Sequence, residues 1–196
     1  VLGSLYSWHA TFGVYLIGVP VGVAAMLMIP ETRPPGRKPA PRGFARLVLR
    51  SPGLLGIYAF TFAFAVMLYS VAVFLPQRLA QIGVHAPVLV SLYMVVLAGA
   101  ASVVGLLYGR LRVHASYLML MRFGTLGWLG CFLILGVAAH PAHIVVATLL
   151  LGTANGLVFS AISVMVAEHA PEDLLGRATG LSSTLMFIGQ FASALM

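Results

Sequence analysis

The chain has 196 residues, of which 11 are Lys or Arg and 4 are Asp or Glu. Charged types make up 8% of it and hydrophobic types 61%, with a mean hydropathy of +1.04. A soluble domain carries about 25% charged residues, and this chain cannot supply the polar surface a globule needs. Those figures exclude a soluble enzyme, a disordered regulator and a nucleic-acid-binding module, and they require lipid as solvent.

Trp8 to Pro30 runs 23 residues without a charge. Ser51 to Gln77 and Ile82 to Gly109 are two more uncharged runs. Phe123 to Ala167 is too long for one crossing and is broken at His140-Pro141-Ala142-His143; Ala178 to Met196 adds 19 residues. A helix crossing the hydrocarbon needs about 20 residues. The chain therefore reads as all-α integral membrane, with six transmembrane helices at about 8–30, 53–76, 87–109, 117–139, 143–167 and 178–196. The runs do not alternate as barrel strands do. Pro30 ends the first segment and Pro52 precedes the second. Pro76 closes the second, Pro87 opens the third, Pro141 sits in the shortest loop and Pro171 leads towards the last.

Orientation follows from the basic residues. Arg33, Arg37, Lys38, Arg42, Arg46 and Arg50 lie in the loop from Glu31 to Ser51. Arg110, Arg112 and Arg122 come two crossings later, and Arg177 two later again. The opposite side holds only Arg78. Ten of eleven basic residues thus mark one face, which the positive-inside rule makes cytoplasmic. The net charge of +7 is then a topology signal and not a nucleic-acid one. The loop 31–52 is a basic, Pro-rich linker whose later part, Phe44 to Arg50, has the makings of a short amphipathic helix on the membrane surface. His85-Ala86-Pro87 and His169-Ala170-Pro171 stand three crossings apart on opposite sides, as an inverted three-helix repeat would place them. Val1 is not an initiator Met, and the last apolar run is still in progress at Met196, so the chain is expected to be a piece of something longer.

All four acidic residues, Glu31, Glu168, Glu172 and Asp173, fall in loops on the basic side, so no pair of carboxylates is available inside the membrane for acid–base catalysis. His140 and His143 lack a carboxylate or thiol beside them and read as loop-capping residues, not a metal site. Gly180-Leu181-Ser182-Ser183 is a faint echo of an intramembrane serine nucleophile, with only His169, in a loop, nearby. No phosphate-binding Gly-rich loop occurs. Neither catalytic residues nor a cofactor is expected. Cys131 is alone and reads as a small packed hydrophobe. Arg122 reads as snorkelling to the surface.

What remains is uncharged polar and aromatic residues on helix faces. Tyr58, Phe62, Ala65 and Tyr69 share a face of the second segment, with Thr61 beside it. Asn155, Phe159 and Ser163 align with Gly152 on the fifth, and Ser183, Met186 and Gln190 align on the sixth. Such faces suit an apolar or amphipathic ligand held by many weak contacts, and a buried Asn or Gln in a membrane needs a partner or a wet cavity. Gly152-x-x-x-Gly156 and Gly176-x-x-x-Gly180 read as close helix–helix contacts.

The residues resemble a known family. Trp8-His9-Ala10-Thr11-Phe12 through Ile29-Pro30-Glu31-Thr32-Arg33 is similar to the sixth helix and its exit in a major facilitator superfamily transporter, with His9 in place of the usual Arg. Leu75-Pro76-Gln77-Arg78-Leu79 is similar to the end of the family's seventh helix. Ala170-Pro171-Glu172-Asp173-Leu174-Leu175-Gly176-Arg177-Ala178-Thr179-Gly180, with Phe187-Ile188-Gly189-Gln190, resembles the passage from helix ten to eleven, above all in bacterial drug exporters. Gly105, Gly109 and Arg110 look like a decayed second copy of the family's cytoplasmic gating loop, without its Asp.

The resemblance covers essentially the whole chain. It implies residues 1–30 as the last helix of an N-terminal bundle, 31–52 as the cytoplasmic linker and 53–196 as five of six helices of a C-terminal bundle. It further implies alternating access in a bacterial inner membrane, with proton-driven efflux of small apolar or amphipathic compounds. The proton carrier would then belong to the missing N-terminal bundle. A nutrient symporter or uniporter of the same fold, or a membrane scaffold or sensor, is the alternative.

Overall fold

The computed structural model describes Leu16, residues 18–28 and residues 44–195, and for residues 45–47 the backbone alone. The Trp8–Phe12 motif, Glu31, and linker residues Arg33, Arg37, Lys38 and Arg42 lie outside the described residues. Residues 1–40 form one unit and 41–196 another. In the first, α1 is Gly18–Met28, 11 uncharged residues.

In the second unit, α2 is Phe44–Arg50, where the sequence predicts a short helix. There follow α3 (Pro52–Gln81), α4 (Pro87–His114), α5 (Tyr117–Val137), α6 (Pro141–His169), a 3-10 turn at Glu172–Leu174, and α7 (Leu175–Ser193). Four of these, α3 to α6, are long and apolar enough to cross a membrane. Among the described residues there is no strand. The protein is an all-helical, multi-pass membrane protein.

The helix starts follow from local chemistry. Pro52, Pro87 and Pro141 occupy first-turn positions, where a missing N–H costs nothing. Ser116 caps α5 by accepting the Met119 N–H at 3.2 Å. His140 caps α6 through Nδ1, which accepts the Ala142 N–H at 3.3 Å, and His143 Nδ1 accepts the Ala139 N–H at 3.4 Å. Inside the helices, hydroxyls fold back onto carbonyls one turn earlier, as Thr61 does on Ile57 at 2.8 Å and Ser70 on Val66 at 2.7 Å. In lipid this satisfies a group that has no water to turn to.

Two sequence expectations are corrected. Pro76 does not close its helix: α3 continues to Gln81 with Pro76 inside it. The extra turn is held because Leu79 is fully buried and Arg78 grips the end of α5. Its Nε donates to the Leu135 carbonyl at 3.1 Å, and Nη2 donates to Ala138 at 2.8 Å and Gly136 at 3.4 Å. The one basic residue that falls on the sparsely charged side is therefore the cap of a neighbouring helix. The shortest connection between the membrane-crossing helices is Ala115–Ser116, between α4 and α5, and Pro141 is already helical.

Within the second unit the ends of successive long helices alternate. Arg112 near the end of α4 pairs with Glu168 near the end of α6 at 3.8 Å. His169 lies against Gly53 at the start of α3, and the Tyr58 hydroxyl donates to the Ala178 carbonyl early in α7 at 3.1 Å. The Arg78 cap ties the other ends of α3 and α5. At the centre stands α6, which contacts α3, α4, α5 and α7 and buries residues on every side, from Ile144 to Val166. Gly152 and Gly156 let α4 approach α6 closely. A Cβ on Gly156 would stand 2.6 Å from the Ala101 carbonyl, and one on Gly152 would collide with the Leu97 carbonyl. At Gly176 and Gly180, where the spacing predicts the same, a Cβ would meet open space. The close glycine on α7 is instead Gly189, against Ala65 and the Phe62 carbonyl of α3.

Candidate functional site

Between α3, α4, α6 and α7 the helices leave a groove of about 400 Å³. From α3 it takes Phe64, Leu68 and Tyr69. From α4 come Leu97, Ala101, Ser102 and Gly105, from α6 Asn155, Gly156, Phe159 and Ser160, and from α7 Met186. Beside it lies a smaller recess of about 120 Å³ lined by Ile162, Ser163 and Val166 of α6 and Thr179, Ser182 and Ser183 of α7. Phe159 and Met186 line both, so the two are adjoining parts of one depression. Among the described residues, no Asp, Glu, Lys, Arg or His lines either part.

Of the ten cavity residues expected from sequence, the groove brings together Tyr69, Asn155, Phe159 and Met186, and the recess adds Ser163 and Ser183. Four stand elsewhere. Tyr58 and Thr61 are buried, with hydroxyls committed to the Ala178 and Ile57 carbonyls. Phe62 is half-buried, its carbonyl at the close α3–α7 contact. Gln190 is half-buried and lines neither part. The three on α3 share a physical reason: the N-terminal part of the Tyr58–Tyr69 face is consumed in packing against α7, and only Tyr69 emerges into the groove. Gly105, Gly109 and Arg110, expected in a cytoplasmic loop, are helical within α4. Gly105 lines the groove, and Arg110 is exposed near the α4 end, where its carbonyl faces His114 Nδ1 at 3.1 Å.

Under the groove lies a contact that links three helices. Asn155 is 5% exposed, and its Oδ1 accepts the Trp128 Nε1–H at 3.2 Å. The Trp128 indole, 4% exposed, stacks on Phe64 with ring centroids 4.9 Å apart and planes 20° apart. Neither Trp128 nor the α4 wall was read from the sequence as part of a site. The signals were there: Ala98-Gly99-Ala100-Ala101-Ser102 is a run of small residues that admits a neighbour, and a Trp inside an uncharged segment needs an acceptor for its N–H.

A helix-lined, largely apolar cleft in a membrane bundle can hold an apolar compound. Over residues 1–194 the sequence matches the family model described as Major Facilitator Superfamily. The chain belongs to this superfamily. No solved structure matches it. As a member of this superfamily it is a membrane transporter.

Proposed function

We propose that this major facilitator chain comprises the sixth to eleventh helices of a twelve-helix transporter, and that the groove is half of its substrate cavity. Residues 1–30 then end the N-terminal bundle, 31–52 are the linker, and α3 to α7 are five of the six helices of the C-terminal bundle. Support comes from an internal likeness: α6 packs extensively on α4, and α3 likewise on α7. The His-Ala-Pro triplets ending at Pro87 and Pro171 lead into α4 and α7 respectively. Two inverted three-helix units generate that pairing.

The transported compounds are small, apolar or amphipathic, and they are exported from a bacterial cell in exchange for protons. The observation that carries this reading is an open cleft of about 400 Å³ beside Asn155 and Tyr69 with no charged side chain on its walls. A scaffold without transport has no use for an unfilled cleft at those two residues. The described carboxylates, Glu168, Glu172 and Asp173, stand at the end of α6 and in the following turn. Proton carriage therefore belongs to residues outside 44–195, in the N-terminal bundle. The test is uptake of the uncharged dye Nile red into everted vesicles holding the full-length protein. Dye entry that needs an acid interior, and that Gly105→Phe abolishes by filling the groove, is the expected result. Entry indifferent to the proton gradient removes the antiport reading. No entry at all removes efflux of such compounds.

A further inference from the structure

The orientation of the Asn155 amide is fixed by chemistry and not by fitting. An indole Nε1 only donates, so the atom 3.2 Å from it must be the amide oxygen. The Nδ2 group is thereby turned away from Trp128. It has no hydrogen-bond partner among the described residues, although Asn155 is nine-tenths buried and lines the groove. That nitrogen is not sealed within the packing, and the space open to it is the groove that Asn155 lines. Three of the hydroxyls around it are committed elsewhere: Ser102, Ser163 and Ser183 each give their proton to a carbonyl of their own helix, at Ala98, Phe159 and Thr179.

We propose that Trp128, a positioning residue that lines no part of the groove, locks the Asn155 amide with its N–H2 towards the groove, and that the site thereby selects uncharged apolar ligands carrying a hydrogen-bond acceptor. The ligand class is a compact, mostly hydrocarbon molecule with a carbonyl, ether or similar oxygen. The proposal rests on the reading of the groove as a substrate cavity. Phe64 completes the device: stacked on the indole and lining the groove itself, it keeps the Trp128 ring in one plane. A free Asn side chain would rotate and present oxygen or nitrogen alike. A locked one offers only donors.

The experiment compares two rigid tricyclic probes that differ by one group, 9-fluorenone with a ketone and fluorene with a methylene. Tritiated forms of each are bound to full-length protein in nanodiscs. Wild type is expected to hold fluorenone about three- to tenfold more tightly, the range of one net hydrogen bond. Asn155→Leu and Trp128→Phe are each expected to reduce that preference below about twofold, and with Trp128→Phe fluorene affinity stays within about twofold. A purely structural role for Trp128 would instead weaken both probes together. Should Trp128→Phe not fold, ultraviolet resonance Raman of the indole N–H replaces it. Its band must shift between wild type and Asn155→Leu, and an unshifted band overturns the lock. Equal affinity of wild type for both probes, abolished for both by Gly105→Phe, overturns the acceptor preference and leaves the cavity reading standing. Failure of both probes to bind, or binding indifferent to Gly105→Phe, overturns the cavity reading and the proposal with it.

Discussion

The tightest helix contact in the chain gives a prediction with opposite signs at sites of identical sequence pattern. Gly156 of α6 faces the Ala101 carbonyl of α4, and a Cβ built there would stand 2.6 Å from that oxygen and 2.8 Å from the Val104 Cβ. Ordinary contact begins at 3.4 Å, so α4 and α6 would have to part by about 0.8 Å. The nearer obstacle is backbone, which cannot swing aside as a side-chain end can. Overpacking of this kind costs about 1–3 kcal/mol, against which the better helix propensity of Ala returns up to about 1 kcal/mol. Gly156→Ala should therefore lose about 1–2 kcal/mol net, a fall of about 2–8 °C in melting temperature for a chain of this length. Gly180→Ala has open space around it and keeps only the propensity gain, so it should melt at or slightly above wild type. Thermal unfolding of the two purified variants, followed by intrinsic fluorescence, checks both signs at once. If Gly156→Ala melts as high as wild type, or Gly180→Ala falls as far as Gly156→Ala, the α4–α6 contact is not set by backbone approach and the reasoning fails.

Arg78→Met keeps the apolar stem but strips three carbonyls of their donor; we expect a loss of about 2–3 kcal/mol, with faster hydrogen exchange confined to the last turn of α5 and the start of α6. Uniform exchange across the bundle would count against a local cap. Tyr58→Phe leaves the Ala178 carbonyl without its 3.1 Å donor in a buried contact and should cost about 1 kcal/mol in thermal unfolding; a neutral result would mean that the carbonyl finds another partner.

The fold was legible from charge placement and apolar length because both are properties of the solvent, lipid on one hand and cytoplasm on the other. What the sequence hid was how far each helix outlasts the hydrocarbon. Pro76 looked like a stop, yet Arg78 found carbonyl acceptors at the end of a helix more than 50 residues away, and Leu79 is fully buried. The site was legible in part. Helical periodicity groups Asn155, Phe159 and Ser163, and all three line the groove or its recess, since one helix decides that grouping. It also grouped Tyr58, Thr61 and Tyr69, but which stretch of that face reaches a cleft depends on where α7 crosses, and Gly189 sets that crossing. Small-residue spacing likewise names helices able to come close without naming the pair: Gly152 and Gly156 found α4, while Gly176 and Gly180 found no neighbour.

The central place of α6 has a consequence for the order of assembly. As the chain is made, α3, α4 and α5 enter the membrane first, and these three share little contact with one another. Until α6 arrives they have few reasons to associate, since lipid solvates their apolar faces as well as a neighbouring helix would. The unpaired amide of Asn155 and the indole N–H of Trp128 meet only at that moment. The bundle should thus stay loose through most of its synthesis and close late, around a helix that carries both the wall of the groove and the contacts that hold the other walls in place.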